Sequence, residues 1–344
     1  MLELARRRRF LTLLAASAAG GLAACGGGSG SAAIPADSAG SAPVTTPVQP
    51  VAPGTPVTPV TPVDPATPPD TTTPPAEPTP EAPAIAKSAK RGIAYDLTAA
   101  NDLAALAPGV SWWYNWGSQP NAGVPSDHAA QYGMDYIPML WNDDFDAARI
   151  EALIKASGAS YLLLLNEPNL TDQANMLPAR AAALWPRYEA IAAATGVKLV
   201  GPAMTWGTLA GYADPVTWLD AFYAAYQAAN GGRQPQIDYL GFHWYDYGLA
   251  GQLDRLKKYG KPFWVTEMAN WHSQNDGAQI DTLAKQKAQM TEMVALCEAR
   301  DDVFRYAWFI GRMSPDPHFT SLLGASGELT ELGKLYVSLP FKTS

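Results

Sequence analysis

The chain has 344 residues, a formal net charge of −8, four His and two Cys against eleven Trp and fifteen Tyr. Removing residues 1–24 takes away four Arg and Glu3 and leaves −11, a balance that excludes nucleic acid and anionic membrane surfaces as natural partners. Few His, one Cys beyond residue 25 and no HExxH or Cys/His spacing exclude a His- or Cys-built metal site, so no metal and no organic cofactor is expected.

Met1 to Ala24 has a basic start at Arg6 to Arg9, an apolar stretch from Phe10 and a small-residue end, the pattern of a secretory signal. It is too short and too Ala-rich to read as a membrane span. Leu22-Ala23-Ala24-Cys25 resembles the lipobox of bacterial lipoproteins, which implies cleavage before Cys25 and its lipidation. Arg7-Arg8-Arg9-Phe10-Leu11 also resembles a twin-arginine signal. The expectation is an exported lipoprotein, held at the cell surface or outer membrane by its lipid alone. With Cys25 acylated, Cys297 has no disulfide partner and reads as a small buried apolar residue.

Residues 25–90 form a linker of Gly, Ser, Ala, Thr, Val and Pro, with proline at 47, 50, 53, 56, 59, 62, 65 and 68. A proline every third residue suits polyproline II, a stiff spacer able to hold a domain on the order of 100 Å or more from its anchor.

Residues 91–344 alternate strand-like and helical segments. The expected strands are Gly92 to Asp96, Val110 to Trp116, Tyr136 to Trp141, Tyr161 to Leu165, Lys198 to Met204, Tyr239 to Trp244, Phe263 to Glu267 and Tyr306 to Ile310. Helices are expected after Asp143, from Pro178, from Asp214-Pro215 to Ala229, near Leu253 to Tyr259 and from about Ile280 to Arg300. Asp214 reads as an N-cap with proline at the first helical position, and Pro186 is expected to kink or divide its helix. Eight βα units in about 250 residues fit an α/β fold of the (β/α)8 TIM barrel type. A doubly wound open sheet is the alternative, but no G-x-G-x-x-G or P-loop follows any strand.

In Tyr161 to Asn169, Y-L-L-L-L-N-E-P-N, an apolar run suited to a strand buried on both faces stops at an amide, a carboxylate and a proline. Asn166 and Glu167 therefore fall at the carboxyl end of a barrel strand, the face where barrel enzymes work. Glu267 ends P-F-W-V-T-E-M in the same way three strands later. The other strand ends supply Tyr114, Trp116, Trp141, Asn142, Trp206, His243, Tyr245, Trp271 and Trp308 as sugar-binding candidates, whereas Trp112, Trp113, Trp185, Trp218 and Trp264 read as core. Paired carboxylates are what glycoside hydrolysis requires, and aromatic faces stack on sugar rings. Two carboxyl groups in one cleft oppose each other's ionisation, so one can act as acid while the other stays charged.

W-W-Y-N-W at 112–116, N-E-P-N at 166–169, G-F-H-W-Y at 241–245 and W-V-T-E-M at 264–268 together resemble the retaining clan A glycoside hydrolases, and within them family 128, the β-1,3-glucanases. Met268 stands where that family more often has Phe. The resemblance implies Glu167 as acid/base, Glu267 as nucleophile and Asn166 as partner of the sugar 2-hydroxyl or of the nucleophile. The expectation is a monomer that acts within chains of laminarin-type glucan. Alternatives are a β-1,4-linked mannan or glucan as substrate, or a non-catalytic glycan-binding lipoprotein; retention of both carboxylates counts against the last.

Overall fold

The computed structural model describes residues 86–342, so the expected signal, Cys25 and most of the linker lie outside the described residues. The strands in chain order are β1 (Arg91–Ala94), β2 (Trp112–Tyr114), β3 (Asp135–Tyr136), β4 (Met139–Leu140), β5 (Tyr161–Leu164), β6 (Lys198–Val200), β7 (Leu240–Trp244), β8 (Phe263–Met268) and β9 (Val303–Trp308). They are parallel and lie in two runs, β3-β2-β1-β9-β8-β7 and β4-β5-β6. β3 and β4 are one strand interrupted at Ile137-Pro138, because a proline there has no N–H for the ladder. At the other seam β6 meets β7 through Gly201 N–H to Tyr239 O at 2.9 Å, Met204 N–H to Gly241 O at 3.1 Å and His243 N–H to Met204 O at 2.8 Å. The two runs therefore close into the expected eight-stranded barrel.

Around it run α1 (Ala100–Leu106), α2 (His128–Tyr132), α3 (Ala147–Ser157), α4 (Pro178–Thr195), α5 (Pro215–Ala229), α6 (Leu249–Leu256), α7 (Leu283–Ala299) and α8 (Glu331–Ser338). Asp214 caps α5 by accepting from Val216 N–H at 2.8 Å, with Pro215 in the first turn, as its sequence dictates. Pro186 does not divide α4. It lies on the exposed side of the helix, while buried Trp185 and Tyr188 pin both flanks. α1, α2 and α8 are not signalled by apolar periodicity: the longest has eight residues and α2 buries no side chain.

The core holds Trp112, Trp113, Trp185, Trp218 and Trp264, each fully buried as expected. Cys297 is buried and free, and burial pushes its thiol up to about 12, so it behaves as an apolar filler. Arg91 is a buried exception with a structural reason. From β1 its guanidinium donates to Tyr306 Oη at 2.9 Å, Tyr336 O at 2.7 Å, and Leu339 O at 2.8 Å, and lies 3.6 Å from Glu298. The first strand thereby holds the last helix onto the barrel. No helix among the described residues is long and apolar enough to cross a membrane.

Candidate active site

The tip of β5 is built in an unusual backbone. Leu165 and Glu167 both take positive φ, +52° and +47°, which costs a non-glycine residue about 1–3 kcal/mol each. Three backbone bonds hold them there: Leu165 N–H to Leu140 O, Asn166 N–H to Trp141 O, both at 2.9 Å, and Glu167 N–H to Ala203 O at 2.8 Å. The loop beyond is fastened by buried Asn169, whose amide donates to Thr205 O at 2.6 Å and Ala213 O at 3.0 Å. Gly207 is required beside it, because a Cβ would sit 1.9 Å from Asn169 O.

Glu267 is aimed by a different device. Phe242 pairs with Val265 but His243 pairs with Glu267, and against β9 Val265 pairs with Tyr306 but Met268 with Trp308. One extra residue is thus accommodated at Thr266-Glu267, a β-bulge. In a regular strand adjacent side chains point to opposite faces. Here Thr266, Glu267 and His243 are all buried, and Thr266 Oγ1 and a Glu267 oxygen both lie close to the His243 ring.

Glu267 accepts from Tyr114 Oη and Trp116 Nε1 on Oε1, both at 2.8 Å, and from Tyr245 Oη on Oε2. Burial, then the charge of Glu267, push the Tyr114 phenol well above the ordinary tyrosine range, so at neutral pH it stays a donor. Trp116 reaches its position through a φ of +61°. His243 Nδ1 lies 2.9 Å from Glu167 Oε1 and 3.3 Å from Glu267 Oε2, while its Nε2 lies 2.9 Å from Thr266 Oγ1. One oxygen of each carboxylate and a His243 nitrogen lie within 4.8 Å of one another. That spacing could bracket a metal ion. The donors are already engaged, however, with one another and with the phenols and the indole.

Seven of the expected residues come together here: Glu167, Glu267, Tyr114, Trp116, His243, Tyr245 and, beside Glu167, Asn166. The hydroxyls of Tyr114 and Tyr245, expected to meet substrate, are turned onto Glu267, and buried His243 is turned onto Glu167. Trp271 packs behind, its ring 4.5 Å from Tyr245. Trp141 and Asn142 are part-exposed, the Asn142 amide oxygen being taken by Asp144 N–H at 2.9 Å. Trp206 is part-exposed, with the Arg255 guanidinium 5.4 Å from its ring. Trp308 is a correction: it is fully buried, its indole donates to Thr320 O at 2.9 Å, and it has no face for a ligand. Strand-end logic missed Thr266 and Gln173, whose Oε1 accepts from Asn166 Nδ2 at 2.9 Å. Asn166 Oδ1, by contrast, is buried without a protein partner.

Residues 92–336 match the family model described as the glycosyl hydrolase catalytic core. Among solved structures, an endo-β-1,3-glucanase of glycoside hydrolase family 128, subgroup II, from Pseudomonas viridiflava is 62% identical, covers 75% of this chain and 100% of its own, and superposes with a TM-score of 0.74. A subgroup I endo-β-1,3-glucanase from Amycolatopsis mediterranei in complex with laminaritriose is 28% identical, over 73% of this chain and 99% of that one, with a TM-score of 0.58. Alkali-sensitive linkage protein 1 of Schizosaccharomyces pombe is 27% identical over 269 residues, 73% of this chain, and the chain spans only 45% of that longer protein.

Proposed function

This chain belongs to glycoside hydrolase family 128, and from that premise we propose that it is a retaining endo-β-1,3-glucanase with Glu267 as nucleophile and Glu167 as acid/base. The observation that carries the mechanism is the carboxylate separation. Retaining enzymes hold the pair about 5–5.5 Å apart, inverting ones about 6.5–9.5 Å apart to admit a water. One oxygen of Glu167 lies within 4.8 Å of one of Glu267, a closest approach that supports the shorter, retaining spacing.

The assignment of roles follows from the partners. Glu267 accepts from three neutral donors, Tyr114, Trp116 and Tyr245, an environment suited to a carboxylate that is charged before attack and must depart charged afterwards. It attacks the anomeric carbon while Glu167 gives its proton to the departing glycosidic oxygen. Glu167, now a carboxylate, takes a proton from water as that water displaces Glu267 and restores the starting charge state. The unpaired Oδ1 of Asn166 accepts from the sugar 2-hydroxyl, with Nδ2 fixed by Gln173. The substrate reading is supported by the Pseudomonas and Amycolatopsis relatives, both endo-β-1,3-glucanases, the second holding laminaritriose.

The sequence extends this reading to a monomeric enzyme carried by residues 91–344, exported behind a signal at 1–24, lipidated at Cys25 and spaced from the cell surface or outer membrane by residues 25–90. Intact-mass analysis of the mature N-terminus tests the lipidation. The substrate claim is tested with the full chain on laminarin, β-1,4-mannan and carboxymethylcellulose. Laminarin should fall rapidly to laminari-oligosaccharides, and activity confined to the β-1,4 polymers would overturn it.

A further inference from the structure

We infer that Thr266 is a positioning residue: its hydroxyl donates to His243 Nε2, fixes the imidazole as the Nδ1–H tautomer, and so aims one N–H between the two carboxylates. The inference rests on the proposed roles of Glu167 and Glu267. It goes beyond them in giving a task to a residue that contacts neither the substrate nor the reacting atoms.

Buried donors and acceptors around His243 must find their partners within the protein. His243 is fully buried, Thr266 is 2% exposed, and Oγ1 lies 2.9 Å from Nε2. A neutral imidazole has one donor nitrogen and one acceptor. Suppose Nε2 carried the hydrogen and Thr266 accepted it. The hydroxyl's own hydrogen would then be buried with no hydrogen-bond partner but His243 among the described residues, and the lone pair of Nδ1 would face the charged Glu267 Oε2 at 3.3 Å and hold the Glu167 proton, at 2.9 Å, away from the leaving oxygen. A buried unsatisfied donor alone costs about 1–3 kcal/mol. Both conflicts vanish when Thr266 donates and Nδ1 carries the hydrogen. The β-bulge is what makes this possible, since regular alternation would turn Thr266 away from the face that Glu267 occupies.

The consequence for the reaction is a donor that serves both halves of the cycle. Before attack the charge is on Glu267, and Nδ1–H adds to the donors Tyr114, Trp116 and Tyr245. In the glycosyl-enzyme Glu267 is a neutral ester and Glu167 bears the charge it acquired on giving up its proton; the same N–H then bonds Glu167. In this cycle the proton passes between Glu167, the leaving oxygen and water, so the His243 tautomer must be set from outside the reacting pair, from the Nε2 side.

The test labels the full chain with 15N-histidine and reads two-bond 1H–15N correlations, with His243→Gln identifying the signal among the four His. The expected spectrum of the free enzyme has His243 Nδ1 protonated and Nε2 not, in wild type and in Thr266→Ser, with the preference lost in Thr266→Val. In parallel, Thr266→Val should lower kcat on laminarin about tenfold with KM within about twofold and a displaced pH profile, and Thr266→Ser should restore both. An Nε2-protonated His243 in wild type, or a Thr266→Val enzyme with unaltered kcat and pH profile, overturns the inference. The wild-type and Thr266→Ser spectra decide it even if Thr266→Val fails to fold. They also decide it independently of whether laminarin is cleaved.

Discussion

Replacing Tyr114 by Phe separates the two halves of the proposed reaction. The hydroxyl lies 2.8 Å from Glu267 Oε1 in a fully buried position, and Trp116 Nε1 remains on the same oxygen when it is gone. A hydrogen bond to a charged group is worth about 1.5–3 kcal/mol, which corresponds to roughly 10- to 150-fold in rate if it is lost in a transition state. The sign differs between steps. Attack discharges Glu267, so losing a donor hinders it little; breakdown of the glycosyl-enzyme regenerates the carboxylate and loses the full stabilisation. On an aryl β-laminaribioside with a good leaving group, the variant should show a burst of phenol near the wild-type rate followed by a steady state slower by that factor. The ring packing is retained, so the fold should lose no more than that same about 1.5–3 kcal/mol. A burst slowed as much as the steady state, or a steady state equal to wild type, would refute the reasoning.

Three further outcomes are expected. Glu267→Gln should lose several orders of magnitude in turnover while laminari-oligosaccharide binding, read by calorimetry, largely survives; unchanged turnover would mean that the nucleophile is another residue. Arg91→Met should cost about 3–5 kcal/mol and lower the melting temperature by roughly 6–20 °C, because Glu298 at 3.6 Å and the carbonyls of Tyr336 and Leu339 lose their buried partner; a shift under about 3 °C would contradict that. His272 lies between Asp246 and Asp276, at 2.9 Å from each. Burial opposes its charge, but the hydrogen bond to Asp276 and the field of Asp246 outweigh it and raise its pKa above the ordinary value of about 6.5. A raised folded-state pKa gives stability that is complete below about pH 6.5 and lost as pH rises through the folded value, so His272→Gln should be less stable than wild type in acid and match it in alkali. A gap independent of pH would refute the pairing.

How far these features were legible in the sequence depends on how local their causes are. The barrel was legible because apolar runs such as Tyr161 to Leu165 and Phe263 to Val265 end at polar residues, and local composition decides that. The same local composition is what singles out Glu167 and Glu267. Trp308 misled because a strand end does not reveal which face a side chain takes: β9 begins at Val303, and its register turns Trp308 outward onto Thr320 and Tyr336. The role of Thr266 was invisible because the bulge that creates it is a property of pairing with β7 and β9 together, and the tripeptide Thr-Glu-Met carries no mark of it. Tyr114 and Tyr245 are expected from their strand ends to meet substrate, but only side-chain geometry shows that their hydroxyls are turned onto Glu267.

The most direct test of the account is the anomeric configuration of the first products released from laminarin, followed by 1H NMR before mutarotation. Glu267 as nucleophile, supported by the close approach of the two carboxylates, predicts net retention, with the β-anomer of the new reducing end appearing first and the α-anomer growing in later. Initial appearance of the α-anomer would mean that water attacks directly and would contradict the assignment of Glu267 as nucleophile.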